Sequence, residues 1–321
     1  MRLLKLVPDN TNIGFVRIRF IAFVVTALLT VAALAAVGTR GLNLGVDFVG
    51  GLMIEAQFPS PPPLDKVRST IDGLQVGTSS LQQFGDPRTV SIRLPIAENA
   101  DEGATNAVVG KVSAALKQNF PGVTFTRTDT VSGKVSGELI RNGVLAVILA
   151  VFGIAVFSWL RYEWQFGVST FVAIVHDVVM TIGFFAVTQL EFDLNIVAAV
   201  LTIVGYSIND KMVIDDRIRE NMRKYRQMDM KALIDLSVNE TLPRTVMTSV
   251  TVFLALGALL LWGGHVLRGF SAAMLLGVVV GTYSSVYVSS SLLISLGLEP
   301  AKFDRKTQTA RPEAERVGPK A

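Results

Sequence analysis

Apolar residues fall in long, nearly uninterrupted runs along this chain, and arginines and lysines gather where the runs stop. Six runs are long enough, or nearly so, to cross a bilayer as helices: roughly 20–38, 139–160, 166–189, 194–214, 247–263 and 270–298. The fifth is short and contains Gly257. The first follows Arg17 and Arg19 and holds "ALAAVG", which also suits a signal peptide. Its apolar run is longer than such peptides use, so it is expected to remain a helix.

Between the first two runs the pattern changes. "GLMIEAQF" reads as a strand, and "PPPLDKVRSTIDGL" as a helix with Leu64, Val67, Ile71 and Leu74 on one face. "TSSLQQFG" and "RTVSIRLPI" read as strands joined by Asp86-Pro87. "EGATNAVVGKVSAALKQNF" is a second helix, ended by Pro121-Gly122, and "VTFTRTDTV" alternates as a last strand. The order β-α-β-β-α-β is the split unit of ferredoxin-like domains. The predicted fold is a multi-pass α-helical membrane protein with six transmembrane helices and one periplasmic α+β ferredoxin-like (βαββαβ) domain.

Composition agrees. Half of the 321 residues are hydrophobic and 17% are charged, with a mean hydropathy of +0.47, too apolar for an ordinary soluble domain. The net charge of +4 does not imply nucleic acid, because the bases flank apolar runs and form no aromatic-interleaved patch. The chain has no cysteine, hence no disulfide or cysteine metal site, and its two histidines, His176 and His265, fall on separate segments. No metal, cofactor or enzymatic activity is expected: no nucleophile–base–orienter set is visible, and neither "GLNLGVDFVGG" nor "SGKVSG" has the spacing of a phosphate-binding loop.

Base placement sets the expected orientation. Arg2, Lys5, Arg17 and Arg19 precede the first run; Arg217, Arg219, Arg223, Lys224, Arg226, Lys231 and Arg244 follow the fourth. Lys302, Arg305, Lys306, Arg311, Arg316 and Lys320 lie in the tail. The short connections "LEFD" and "GGHVLRG" carry one base between them, Arg268. The expected layout is a cytoplasmic N-terminus (1–19), helix 1 (20–38), a periplasmic domain (39–138), helices 2–6 (139–298) with a cytoplasmic loop at about 215–246, and a disordered cytoplasmic tail (299–321).

Ionisable groups inside the runs are the candidate chemistry, since a charge in lipid is costly and faces a bundle interior, a partner or a proton. Asp210 and Asn209 lie near the inner end of the fourth run; Asp210 is either a proton-binding group or a static polar contact. Ile203, Tyr206, Val213 and Arg217 share its helical stripe. Lys211 faces Asp215 one turn on, and the pair is expected to snorkel to the inner surface as an anchor. His176 and Asp177 are adjacent, so they are expected to point apart; a proton path and a structural hydrogen bond are both open. Arg244, beside the fifth run, is either a topology anchor or a partner for the fourth; Pro243 frees backbone that Thr245, Thr248 and Ser249 are placed to satisfy. Asp47, among the glycines of "GLNLGVDFVGG", reads as an exposed carboxylate on a tight connection. Gly277, Gly281, Ser284, Ser285, Ser289, Ser290 and Ser291 mark a helix-packing face, within the chain or for another subunit.

Four motifs together, "GLNLGVDFVGG", "HD", "GYSIND…DRIREN" and "NETLPRTVMTS", resemble the SecD/SecF family of bacterial protein-export membrane proteins, in the resistance-nodulation-division superfamily. The resemblance runs through nearly the whole chain up to the tail. It implies an accessory subunit of the SecYEG translocon in the inner membrane, paired with SecD and associated with YajC and YidC. Such a subunit uses the proton-motive force to act on the translocating preprotein after the cytoplasmic ATPase has pushed it. Its partners are then protons, membrane lipids and the preprotein. Asp210 matches the family's membrane proton site, Arg244 its partner arginine and Thr248 the nearby polar position; Asp47, Gly50 and Gly51 belong to the "DF-x-GG" signature. Lys211 and Asp215 depart from the family pattern together, and "SGKVSGEL" lacks its usual proline. The alternatives are a small-molecule or lipid exporter subunit of the same superfamily, and a translocon assembly factor without a motor role.

Overall fold

A computed structural model describes residues 7–8, 11–77, 79–84, 86–95, 102–264 and 267–300. Arg2, Lys5, His265 and the tail from 301 onward, with its six bases and its expected disorder, lie outside the described residues. In chain order the elements are α1 (Arg19–Arg40), α2 (Val46–Val49), β1 (Gly51–Gln57), α3 (Leu64–Asp72), β2 (Ser80–Phe84), β3 (Asp86–Leu94), α4 (Glu102–Asn119) and β4 (Thr124–Val131). The helices α5 (Gly133–Arg161), α6 (Trp164–Thr188), α7 (Leu194–Lys224), α8 (Met230–Trp262) and α9 (Arg268–Tyr283) follow. A π-helical turn, Ser284–Ser289, carries α9 into α10 (Ser290–Ser295). Six helices among the described residues are long and apolar enough to cross a membrane: Val16–Arg40, α5, α6, α7, α8 and Arg268–Ser295.

The chain divides into two compact units. One comprises Leu42–Ala146 and Glu191–Val197. Its sheet has the order β2-β3-β1-β4 with every neighbouring pair antiparallel, the arrangement expected of two interlocked βαβ halves. In register, Leu52 faces Leu94, Ile54 faces Ile92 and Ala56 faces Val90. These residues are buried with Val67 and Ile71 of α3 and Val112 and Leu116 of α4, which cover one face of the sheet. The period-two pattern of the strands and the apolar stripes of the helices thus meet in one core.

The other unit comprises Met1–Gly41, Val147–Leu190 and Ala198–Ala321, and holds the helical bundle. Small residues let its helices approach closely. A Cβ on Gly183 would lie 2.9 Å from the Ala33 Cα of α1, and one on Gly277 would lie within 2.8 Å of three Ile203 side-chain carbons of α7. Gly281 backs onto Ser207, and Ser284, Ser285, Ser289, Ser290 and Ser291 are buried. The small-residue face is therefore used inside this chain.

The stretch 215–246 differs from the loop expected there: α7 runs to Lys224 and α8 starts at Met230. Ile214, Ile218 and Met222 pack against Met230, Leu233, Ile234 and Val238 in one buried cluster with Phe15, Val16 and Phe166. Apolar run length registers only the lipid-buried part of a helix; beyond it the helices continue as amphipathic rods. Asp229 caps α8 by accepting the Lys231 N–H at 3.1 Å. The fifth span is likewise longer than 247–263, with Pro243 inside it.

Candidate functional site

Three polar groupings among the described residues of the bundle unit contain the ionisable residues that the sequence singled out there. The first centres on Asp177, which is fully buried on α6. Its Oδ2 accepts a 2.6 Å hydrogen bond from Ser207 Oγ of α7. Ser284 Oγ, at the start of the π-helical turn, lies 3.0 Å from the same oxygen and 3.1 Å from the Gly281 carbonyl, so two acceptors compete for one proton. His176 Nδ1 is 3.1 Å from Asp177 Oδ1. The two neighbours were expected to point apart; instead the imidazole folds back along the helix onto the adjoining carboxylate. His176 Nε2 is buried without a hydrogen-bond partner among the described residues. Asp177 thus joins three helical segments through one carboxylate, which is how a buried charge becomes tolerable.

The second grouping surrounds Asp210. Asp210 is 2% exposed, and its Oδ2 has no hydrogen-bond partner among the described residues. Arg244 lies on α8 little more than one turn before Ser249, the residue that contacts Tyr206 one turn before Asp210, so the two charges sit at neighbouring levels of α7 and α8. No ion pair within 4.0 Å joins them among the described residues, and Arg244 is exposed. Tyr206, one turn before Asp210, donates to Ser249 Oγ of α8 at 3.2 Å, and Ser249 lies 3.0 Å from Thr282 Oγ1 of α9. This hydroxyl chain ties together the helices that carry Asp210 and Arg244. Pro243 is not served as expected: Thr248 Oγ1 bonds the Arg244 and Thr245 carbonyls of its own helix at 3.1 and 2.9 Å, and Thr245 Oγ1 is buried without a partner among the described residues. Short hydroxyl side chains in a helix reach the carbonyl a turn back more readily than one beyond a proline. Asn209 is exposed, on another face from Asp210.

The third grouping is Lys211 with Asp215, 2.7 and 2.9 Å from Nζ to the two carboxylate oxygens. The pairing matches the sequence reading, but the expected surface position does not. Lys211 is 2% exposed and Asp215 is fully buried, so the pair is a core ion pair rather than an interfacial anchor.

The glycine signature belongs to the α+β unit. Gly50 and Gly51 have φ of 75° and 112°, and a Cβ on Gly51 would lie 2.7 Å from the Leu94 carbonyl oxygen. Both glycines are therefore required on conformational grounds, the second also by close approach. The segment before them docks on the α6–α7 connection: Gly45 N–H donates to the Phe192 carbonyl and Phe192 N–H to the Asn43 carbonyl, each at 2.8 Å. Asp47 is half-buried, not exposed, and its Oδ2 accepts the Leu194 N–H at the start of α7 at 2.9 Å. Arg93 of β3 donates to the Leu44 carbonyl at 2.7 Å, and its Nη2 lies 3.0 Å from Glu191. Burial pushes the Glu191 carboxyl above its ordinary pKa, against the opposing charge of Arg93, and burial likewise raises Asp193. Helical spacing had placed Tyr206 on the stripe of Asp210, but nothing in the sequence pointed to Arg93, Glu191 or Ser207 as partners of these sites.

The family model described as "Protein export membrane protein SecD/SecF, C-terminal" matches residues 111–299, and that described as "SecD/SecF GG Motif" matches 35–58. The chain belongs to the SecD/SecF family. It is 44% identical over 314 residues to the protein translocase subunit SecF of Cereibacter sphaeroides, covering 95% of this chain and 97% of that protein. The SecF subunit of Rickettsia rickettsii is 38% identical over 291 residues, covering 90% and 94% respectively. Among solved structures, the crystal structure of SecDF, a translocon-associated membrane protein from Thermus thermophilus, superposes with a TM-score of 0.81 at 33% identity. That match covers 91% of this chain and 39% of the longer SecDF chain. Membership of this family supports a role in protein export and a multi-pass membrane location.

Proposed function

We propose that this chain is the SecF-type subunit of a protein-export machine, working with SecD at the SecYEG translocon of the inner membrane and driven by the proton-motive force. Asp210 is the proton-binding group and Arg244 its movable partner. The observation that carries this reading is the state of the pair. Among the described residues, one oxygen of the buried Asp210 carboxylate has no hydrogen-bond partner, while Arg244 on the neighbouring helix is exposed and makes no ion pair with it. An ionised carboxylate in that setting is costly, and either a proton or approach of Arg244 relieves the cost. The two remedies exclude one another, so protonation changes which contact α7 and α8 make.

In this reading both termini are cytoplasmic, residues 39–138 form the periplasmic domain, and the preprotein is met on the outer side. SecD is expected to supply a second membrane acid. One charge crossing 100 mV is worth ~2.3 kcal/mol, whereas turning a two-state switch from 1:99 to 99:1 needs roughly 5.5 kcal/mol. A single proton at that potential is too little, so a pH gradient or a second carboxylate must contribute. The Asp177 grouping then fixes α7 against α6 and the π-helical turn while Asp210 changes state.

The test is Asp210→Asn in inverted membrane vesicles with the complex assembled. Export should lose its proton dependence while the subunits still co-purify. Unchanged proton dependence removes Asp210 from the coupling. Loss of assembly with normal uncoupler sensitivity would instead favour a scaffolding role.

A further inference from the structure

An open cavity of about 550 Å³ at the ends of α5 and α7 is lined by Arg161, Asp216, Arg219, Glu220, Arg223 and Lys224. Four of these six side chains are cationic. The two acids already have partners beyond the lining: Asp216 accepts from the Tyr162 hydroxyl at 2.9 Å, and Glu220 lies 3.0 Å from Arg217. Glu163, which is not part of the lining, lies 3.5 Å from Arg219 Nε. Tyr162 organises the site. Its ring is buried, with the Arg161 and Arg219 guanidinium carbons 5.2 and 5.1 Å from the centroid. Burial first, and then the bond to Asp216, push the phenol's pKa up, so it remains a hydrogen-bond donor. A ring bearing two guanidinium groups presents donors held in a fixed fork, the geometry that suits phosphate oxygens.

The surroundings identify the source of such a phosphate. Trp159, Leu160 and Trp164, which flank Tyr162 in the chain, are 58%, 81% and 45% exposed. Exposed tryptophans at the end of an apolar span sit at headgroup level, and basic pockets between spans at that depth take lipid headgroups. A soluble anion would draw nothing from these apolar side chains; a phospholipid places its acyl chains against them.

We propose that this cavity binds the headgroup of an anionic phospholipid, with Arg161, Arg219, Arg223 and Lys224 receiving the phosphate and Tyr162 positioning the first two. The site depends on the chain spanning a membrane, not on proton coupling at Asp210, so the two proposals fail separately.

The experiment titrates the full chain, purified with its partner subunit in neutral detergent, with phosphatidylglycerol or with phosphatidylcholine of the same acyl chains. A third arm uses inorganic phosphate. Native mass spectrometry counts bound lipids, and tryptophan fluorescence follows occupancy. Phosphatidylglycerol should saturate one site at about tenfold or more lower concentration than phosphatidylcholine. The preference should vanish in Arg219→Gln/Arg223→Gln and persist in part in Arg219→Lys/Arg223→Lys. Equal binding of the two lipids to the unaltered protein overturns the proposal and needs no variant. So does inorganic phosphate binding as tightly as the lipid, which would make the site one for a soluble anion. A double variant that keeps its thermal midpoint and its lipid preference places the lipid elsewhere.

Discussion

Replacing Asp177 with alanine removes the acceptor shared by Ser207 at 2.6 Å, Ser284 at 3.0 Å and His176 at 3.1 Å. All four groups are buried, so each loses a partner that water cannot replace. Interhelical hydrogen bonds in membrane proteins average about 0.6 kcal/mol and reach about 1.7. The short bond to a carboxylate belongs at the upper end, and the other two nearer the mean. The expected loss is about 2–4 kcal/mol for Asp177→Ala. Asp177→Asn should cost roughly half as much, because the amide oxygen still accepts from both serines. The assay is reversible unfolding in mixed detergent micelles, run as double-mutant cycles of Asp177→Ala with Ser207→Ala and with Ser284→Ala. The Ser207 coupling should be about 1 kcal/mol or more, and the Ser284 coupling smaller, because the Gly281 carbonyl offers that hydroxyl an alternative acceptor. Couplings of both serines within about 0.5 kcal/mol of zero would falsify the view that Asp177 clamps the three helices.

Three further expectations concern other groups. Lys211→Ala should cost about 3–5 kcal/mol by leaving Asp215 buried and unpaired, whereas Lys211→Met with Asp215→Leu should come within about 1 kcal/mol of the original in the same assay; a benign Lys211→Ala contradicts the buried pair. Gly277→Ala should destabilise by about 1–3 kcal/mol because its Cβ would meet the Ile203 side chain, and trimming the partner with Ile203→Ala, which removes every carbon it meets, should make the double variant less destabilised than the two single losses added together, an outcome a mere propensity effect would not give. The Glu191 carboxyl has its pKa raised by burial, so it binds the proton more tightly when segment 43–47 is docked on the α6–α7 connection than when that segment is released. The docking contribution is complete below the ordinary pKa of 4.5 and is lost as pH rises through the raised value. Hydrogen exchange at the Gly45 and Leu194 amides, corrected for intrinsic rates, should show protection falling across that window, and Glu191→Gln should flatten the slope; identical slopes in both proteins refute the assignment.

The spans and the α+β topology were legible because both rest on one-dimensional patterns. Lipid demands long apolar runs, and a sheet with helices on one face demands alternation broken by 3.6-residue stripes. The burial of Asp210 was equally plain, since an acid after about ten apolar or small residues has little solvent to face. The extra turns of α7 and α8 were not, because outside lipid a helix needs only one apolar face, and Ile214, Ile218, Met230 and Leu233 acquire theirs from one another. Distances between charges were invisible too. The sequence places Lys211 and Asp215 one turn apart but cannot bury them, and it sets His176 beside Asp177 without revealing that the ring folds back.

What the sequence alone determined is the six apolar spans and the β-α-β-β-α-β order between the first two, for these follow from solvent and from local periodicity. Which polar groups share a hydrogen bond was decided by tertiary structure. Ser207, Asp177 and Ser284 are up to 107 positions apart, and only the packing of α6, α7 and the π-helical turn brings them to one point. Arg93 meets Glu191 in the same way, through a strand and a connection whose sequences carry no sign of each other. A pairing energy depends on distance and on the absence of water, and both are properties of the packed chain.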